Sequence, residues 1–229
     1  MCGRMTQIRP ASDYAALFRA RLSPDLAWAP RYNLAPAQKA LAVRISPDGG
    51  EREIWTPTWG LVPRWVREKG GYATINARIE TVATRPAFRD SLRSRRCVVP
   101  ADGYYEWQAM SGVKVPWYFR EESGNPLALA GLWDSWRDPA TGTFLNTFTV
   151  LVRPAASAIR PIHDRMPLLL APGDREAWLD PASPPDPAFL ERLAREEPAG
   201  LVWHPVSRAV SSSRNDGPEL IRPLSSDSS

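Results

Sequence analysis

Cysteine, histidine and lysine are scarce in this sequence: two Cys, two His and three Lys among 229 residues. Two cysteines, Cys2 and Cys97, are too few for a disulfide framework and fit no metal-ligand spacing, so a reducing, cytoplasmic setting is expected. No apolar run approaches the roughly 20 residues of a membrane span. Arg4, Arg9 and Asp13 stand where a secretory signal would be apolar. A phosphate-binding glycine loop, an HExxH pair and a GxSxG elbow are all missing, which removes the common nucleotide, zinc-protease and serine-hydrolase signatures.

What is present is a chain 43% hydrophobic, enough for one packed core, with a net charge of +4 that is unevenly spread. Residues 1–100 carry 17 Lys and Arg against 8 Asp and Glu, whereas the remainder carries 12 against 17. Arginine, which matches phosphate bidentately and stacks on bases, supplies 26 of the 29 basic residues. Arg78, Arg85, Arg89, Arg93, Arg95 and Arg96 form a local basic cluster that suits either a solvated helix face or a polyanionic partner.

The chain opens Met1-Cys2-Gly3-Arg4. Removal of Met1 leaves a cysteine with its amine and thiol on one carbon skeleton. The amine titrates at about 7.7–8.0 and the thiol near about 8.5, so both are reactive near neutrality. Such a pair captures aldehydes: the amine condenses to a Schiff base and the thiol closes a thiazolidine on the same carbon.

Residues 2–8 read as a strand carrying Cys2 into a sheet, followed by a helix capped by Ser12-Asp13 with Tyr14, Leu17, Phe18 and Leu22 on one face. Strand-like 39–46 and 51–60 flank the turn Pro47-Asp48-Gly49-Gly50 as a hairpin. After a Gly70-Gly71 turn, a helical stretch is expected around 78–94, with Pro86 at a helix start. Strands are expected at 95–99, 103–108, 115–120, 127–136, 143–152, 166–170 and 201–206, paired antiparallel. A helical turn is expected at 154–161, helices at 174–179 and 186–197, and a frayed tail from Ser225.

Four stretches carry residues suited to chemistry beside such an N-terminus. Trp59-Gly60-Leu61-Val62-Pro63-Arg64-Trp65 joins exposed-looking aromatics to arginine, the pairing that binds single-stranded nucleic acid. In Ile75-Asn76-Ala77-Arg78, the amide and the guanidinium share one face if the segment is extended. Ala101-Asp102-Gly103-Tyr104-Tyr105-Glu106-Trp107 sets Glu106 among aromatics, where desolvation raises a carboxyl pKa and poises it for proton transfer; pairing with one of the many arginines is the competing reading. Ile162-His163-Asp164-Arg165-Met166-Pro167 holds one of the two histidines, the usual acid/base group near neutral pH.

These motifs, together with Arg31-Tyr32-Asn33-Leu34-Ala35-Pro36, His204-Pro205-Val206-Ser207 and the stretch from Asn215 to Ile221, resemble in order the SRAP (SOS-response-associated peptidase) domain family, which handles abasic sites in single-stranded DNA. The resemblance covers nearly the whole chain, as one SRAP-like domain over 1–224. It implies that Cys2, freed of Met1 by self-processing, forms a thiazolidine cross-link with the abasic sugar. Asn76 would hold the amine, Glu106 would shuttle protons and His163 would act on the sugar, with strand cleavage of the lyase type and cross-link reversal as further activities. Arg4, Arg78 and Arg165 match phosphate-gripping positions. Asn33, Pro36 and Trp65 match the DNA channel, and Arg85 is assigned to the DNA with them. The expected architecture is a single α+β domain with a curved, largely antiparallel, barrel-like sheet core and flanking helices, working as a monomer in the cytoplasm or on the nucleoid. No cofactor, metal or membrane is needed, because the aminothiol itself traps the aldehyde. The chain departs from the family pattern at Val66, Val152-Arg153 and Ser211, all at peripheral DNA-contact positions. Two rivals remain: an N-terminal-nucleophile amidohydrolase, which the absence of an Asn-Gly pair disfavours, and a non-catalytic single-strand binder.

Overall fold

The computed structural model describes residues 2–68 and 74–224. Met1, the expected Gly70-Gly71 turn and the expected tail from Ser225 lie outside the described residues. In chain order the elements are β1 (Met5–Gln7), α1 (Ala11–Phe18), β2 (Arg21–Leu22), β3 (Arg31–Leu34), β4 (Ala42–Ile45), β5 (Arg52–Trp55), β6 (Thr58–Trp59), β7 (Asn76–Arg78), α2 (Arg89–Ser94), β8 (Arg96–Ala101), β9 (Gly103–Met110), β10 (Val113–Glu121), β11 (Leu127–Arg137), β12 (Phe144–Pro154), β13 (Arg165–Pro167), α3 (Arg175–Leu179), α4 (Pro187–Arg195) and β14 (Leu201–Pro205).

β11 begins Leu-Ala-Leu-Ala-Gly-Leu-Trp, without polar alternation, and such a strand needs cover on both faces. Both covers are present. Phe148, Val150 and Val152 of the neighbouring β12 enter one cluster, with Cys2, Met5, Tyr104 and Phe119, while Leu151 enters another beneath the helices, with Tyr14, Phe18, Leu92, Trp178 and Leu190. The large sheet runs β13-β12-β11-β8-β4-β5-β2, with β6 and β7 added in parallel along β12, and curls into a half-barrel. The second sheet, β14-β10-β9-β1-β3, is antiparallel, and its outer face is covered by a C-terminal strap through Val206, Val210 and Leu220.

The chain crosses between sheets at Asp102, whose carboxylate accepts from Ile8 N (2.7 Å), Arg9 Nε (2.7 Å) and the Tyr14 hydroxyl. Gly103 follows, where a Cβ would stand 2.5 Å from the Phe119 carbonyl oxygen, so only glycine lets β9 and β10 approach. One irregularity matters for the site. Gly131 and Val150 are the last pair of β11 with β12; beyond them the segment after His163 enters the fork, with Leu168 N donating to Leu151 O (2.9 Å) and Ala130 N to Leu168 O (2.8 Å).

The α+β architecture is as expected, and the differences are local. α1 ends at Arg19 in the left-handed region (φ 50), so Leu22 lies in β2 rather than on the helix face; Pro10, with no side-chain cap, occupies the N-cap expected at Ser12-Asp13. The helix expected over 78–94 is reduced to Arg89–Ser94. Asn76–Arg78 instead pairs with the edge of β12, extended by Ile79 N to Val152 O (2.9 Å), and β-branched Ile79, Thr81, Val82 and Thr84 disfavour helix in the turns that follow. The stretch 154–161 forms hydrogen-bonded turns rather than helix, and the strand expected at 166–170 is assigned over Arg165–Pro167.

Candidate active site

β1 begins at Met5, but its register reaches further toward the N-terminus. Met5 pairs with Tyr104, Tyr105 N donates to Arg4 O (3.0 Å), and continuing the antiparallel register sets Gly3 opposite Glu106. Cys2 is thereby brought to the Glu106 end of β9. Alternation along β9 sends Tyr104 into the inter-sheet cluster that contains Cys2, with Glu106 on the same side, while Tyr105 and Trp107 pack toward the C-terminal strap. β9 has no β1 partner past Tyr105, and at this open edge lies a cleft of about 690 Å³ lined by Arg4, Glu106, Trp107 and His163, with Lys114, Arg208 and Ser211 on its rim.

Cys2 is fully buried; burial, and after it the charge of Glu106, push its thiol far above the ordinary range. Glu106 is 2% exposed, and burial raises its carboxyl to about 7. Among the described residues no arginine lies within ion-pair distance of it, and desolvation is the largest cause of the rise. His163 Nε2 stands 3.8 Å from Glu106 Oε2, within reach of proton exchange through one water. His163 Nδ1 lies 3.0 Å from Arg165 N, 3.1 Å from Arg165 O and 3.1 Å from Asp164 Oδ1, contacts that hold the ring with Nε2 facing Glu106. Burial lowers the His163 pKa, so the ring is neutral near pH 7.

Asn76 reaches the same face through β12. The parallel register pairs Asn76 with Val150 and Arg78 with Val152, and both valines point into the Cys2 cluster. Oδ1 and Nδ2 of Asn76 are buried with no hydrogen-bond partner among the described residues, as is the Tyr104 hydroxyl. Unsatisfied polar atoms in such a place are costly in the resting protein and suit a ligand that supplies the missing partners. Arg78 is exposed.

The remaining expected positions divide. Trp65 is 49% exposed and Pro36 partly exposed, and Arg85 is exposed on the turn before α2. Asn33, expected at the DNA channel, is fully buried here: its Oδ1 accepts from Arg4 Nη1 (2.6 Å), and its amide donates to the carbonyls of Val210 (3.2 Å), Ser212 (3.0 Å) and Asn215 (2.8 Å). Arg4 also donates to Val210 O (2.7 Å) and Ser211 O (3.2 Å), so it shapes the cleft while lining it. Arg165 is paired with Glu80. Trp59, expected at the surface, is 1% exposed and donates to Ile75 O.

Two of the six arginines of the basic cluster are structural. Arg96, 2% exposed, donates to carbonyls of Leu92, Arg93, Trp178, Asp180 and Ser183, where it complements the C-terminal ends of α2 and α3, and Arg95 pairs with Asp134 at 3.1 Å. Lys114 and Arg208 were missed as cleft residues because they come from a hairpin and the strap, distant in sequence from the reactive motifs, whereas Ser211 was expected at a peripheral DNA-contact position. Trp107 adjoins Glu106 in its motif; its indole lies 5.8 Å from the Arg4 guanidinium and donates to Ser211 Oγ (3.1 Å), a stacking surface the motif itself could have signalled. A more apolar cavity of about 440 Å³ lies between α1 and α3, against Phe18, Leu127 and Leu170, but holds none of these acid/base groups.

Residues 1–213 match the family described as SOS response associated peptidase (SRAP). The chain is 37% identical over 225 residues to the abasic site processing protein YoqW of Bacillus subtilis, covering 96% of this chain and 99% of that protein. It is 31% identical over 229 residues to the abasic site processing protein YedK of Escherichia coli, covering 98% and 100%. In fold alone it is like the crystal structure of a protein from Bacteroides thetaiotaomicron, with a TM-score of 0.85 over 97% of this chain and 100% of that one at 24% identity. Residues of the N-terminus, β9, the His163 segment and the strap meet at one cleft, and the family match runs over residues 1–213: the chain belongs to the SOS response associated peptidase (SRAP) family.

Proposed function

We propose that this protein processes abasic sites in single-stranded DNA by capturing them covalently on Cys2 after Met1 is removed. The observation that carries the reading is the juxtaposition of Cys2 with a carboxyl raised to about 7 and a neutral imidazole 3.8 Å from it. Abasic site processing, the activity in the names of YoqW and YedK, supports it. The Cys2 amine adds to the open-ring C1′ aldehyde and the carbinolamine loses water to give an imine. The thiol then adds to the imine carbon and its proton passes to nitrogen, closing the thiazolidine with one water released in total. Near pH 7, Glu106 is divided between carboxyl and carboxylate, so it can give the proton that water needs to leave and take the one the thiol gives up.

His163, with its Nε2 toward Glu106, serves the sugar oxygen during ring opening and any β-elimination that cleaves the strand. The Asn76 amide supplies a donor and an acceptor to the amine and the linkage. Arg78, Lys114 and Arg208 hold flanking phosphates, with Trp65 and Trp107 as stacking surfaces. The protein acts as a monomeric domain over 1–224, in the cytoplasm or on the nucleoid, and self-processing releases Met1. Intact mass before and after incubation with an abasic single-stranded oligonucleotide tests the whole sequence: loss of Met1, then a heat-stable adduct whose mass equals protein plus DNA minus one water. Cys2→Ala should abolish that adduct and retain reversible binding; a heat-stable adduct from the Ala variant would remove Cys2 from the mechanism.

A further inference from the structure

Trp65 sits between two residues whose main-chain groups are both held by side chains of one strand. On the N-terminal side, Arg64 N donates to Asp134 Oδ2 (2.9 Å), with Arg64 Nε on Oδ1 of the same carboxylate (2.9 Å). On the C-terminal side, Trp136 Nε1 donates to Val66 O (2.8 Å). Asp134 and Trp136 are two apart on β11 and therefore share a face; they are 2% and 5% exposed. The anchoring continues backward: Val62 N donates to Thr147 Oγ1 (2.9 Å), and Thr147 pairs with Asp134 across β11 and β12. Arg95 fixes Asp134 from beneath at 3.1 Å. Between these anchors the Trp65 indole remains 49% exposed.

We infer that Asp134 and Trp136 are positioning residues that lock the 62–66 loop so that Trp65 is presented, already ordered, as a stacking wedge for an unpaired base. This inference rests on the reading that the protein binds single-stranded DNA. A flexible loop would have to lose its backbone and rotamer freedom on binding, at the expense of the stacking it provides; a loop held at residues 62, 64 and 66 has lost that freedom on folding. A carboxylate beneath the loop does not favour DNA by its charge, and its two oxygens are turned to Arg64 and Arg95. Its contribution to binding is therefore geometric and acts through Trp65.

The test is a double-mutant cycle on affinity for an unmodified single-stranded oligonucleotide, using Trp136→Phe, which removes the Val66 hydrogen bond and keeps an aromatic ring, and Asp134→Asn, each with and without Trp65→Ala. Trp65→Ala alone should weaken binding by about 5- to 150-fold, the range of one stacked base. Trp136→Phe should weaken it by about two- to tenfold where Trp65 is present and leave it unchanged where Trp65 is already Ala. In 5-fluorotryptophan-labelled protein without DNA, the Trp65 resonance should sharpen in Trp136→Phe as the loop gains motion. Equal weakening in both backgrounds, or an unchanged resonance, overturns the lock. A sharpened resonance with unchanged affinity, or no effect of Trp65→Ala, shows instead that Trp65 is not a wedge, which overturns the inference while leaving covalent capture by Cys2 to its own test.

Discussion

Glu106 keeps its proton near neutrality because β9 sets it between the two sheets, away from water and from arginine. That has a thermodynamic sign. Its folded-state value of about 7 lies above the ordinary 4.5, so the native state binds more protons than the unfolded chain between those values. Stability therefore falls as pH rises from about 4.5 through about 7, and the buried carboxylate costs up to about 3 kcal/mol above that window. Glu106→Gln should raise the urea midpoint at pH 8 and change it little near pH 4.5. The same variant should slow cross-linking by about 10²- to 10⁴-fold and remove a limb of the pH–rate profile near 7. A stability gain independent of pH, or wild-type rates, would show that Glu106 is not the buried titrating group. His163→Gln should slow the steps on the sugar while an adduct still accumulates. The burial of Glu106 was legible from its aromatic neighbours. The role of Asn33 was not, because the carbonyls it satisfies lie some 180 residues away in the strap.

The long strands β8 to β12 were legible because their apolar runs and the turns between them are local signals, and β11, apolar on both faces, announced its two-sided burial. What escaped were short elements defined by partners. β7 is a strand because the edge of β12 accepts it, and α2 is short for the same reason. The C-terminal strap is likewise shaped by the side chain of one β3 residue, together with Asp216, which accepts from Tyr32 N (2.6 Å) and Asn33 N (3.0 Å). Asn33→Ala should release three strap carbonyls and the Arg4 guanidinium, lowering stability by about 2–4 kcal/mol and exposing residues near 207–217 to protease. If Asn33 were instead a surface contact to DNA, the variant would bind DNA less tightly at an unchanged melting temperature; thermal denaturation and limited proteolysis separate the two.

At the scale of the molecule, the charge imbalance between the first hundred residues and the rest overstates the surface available to a polyanion. Arg9 is matched to Asp102, Arg31 to Asp216, Arg44 to Glu53, Arg52 to Glu176 and Arg64 and Arg95 to Asp134, while Arg96 is spent on buried carbonyls. Arg78, Arg85, Lys114 and Arg208 have no acidic partner within ion-pair distance among the described residues, and two of them, Lys114 and Arg208, come from the acidic part of the chain. Each phosphate neutralised on a single strand contributes about −0.7 to the slope of log K against log salt. Four contacts predict a slope of about −3, against about −6 if the whole excess of nine positive charges in residues 1–100 engaged the strand. Arg78→Ala should reduce the magnitude of the slope by about 0.7, whereas Trp65→Ala should lower affinity and leave the slope alone, since stacking releases no counterion. Titrations of the Cys2→Ala protein, which cannot form the covalent adduct, at four or more salt concentrations measure both quantities. A slope near −6 would mean that the ion-paired arginines open toward DNA, and a slope near zero would remove the basic groove from the account of binding.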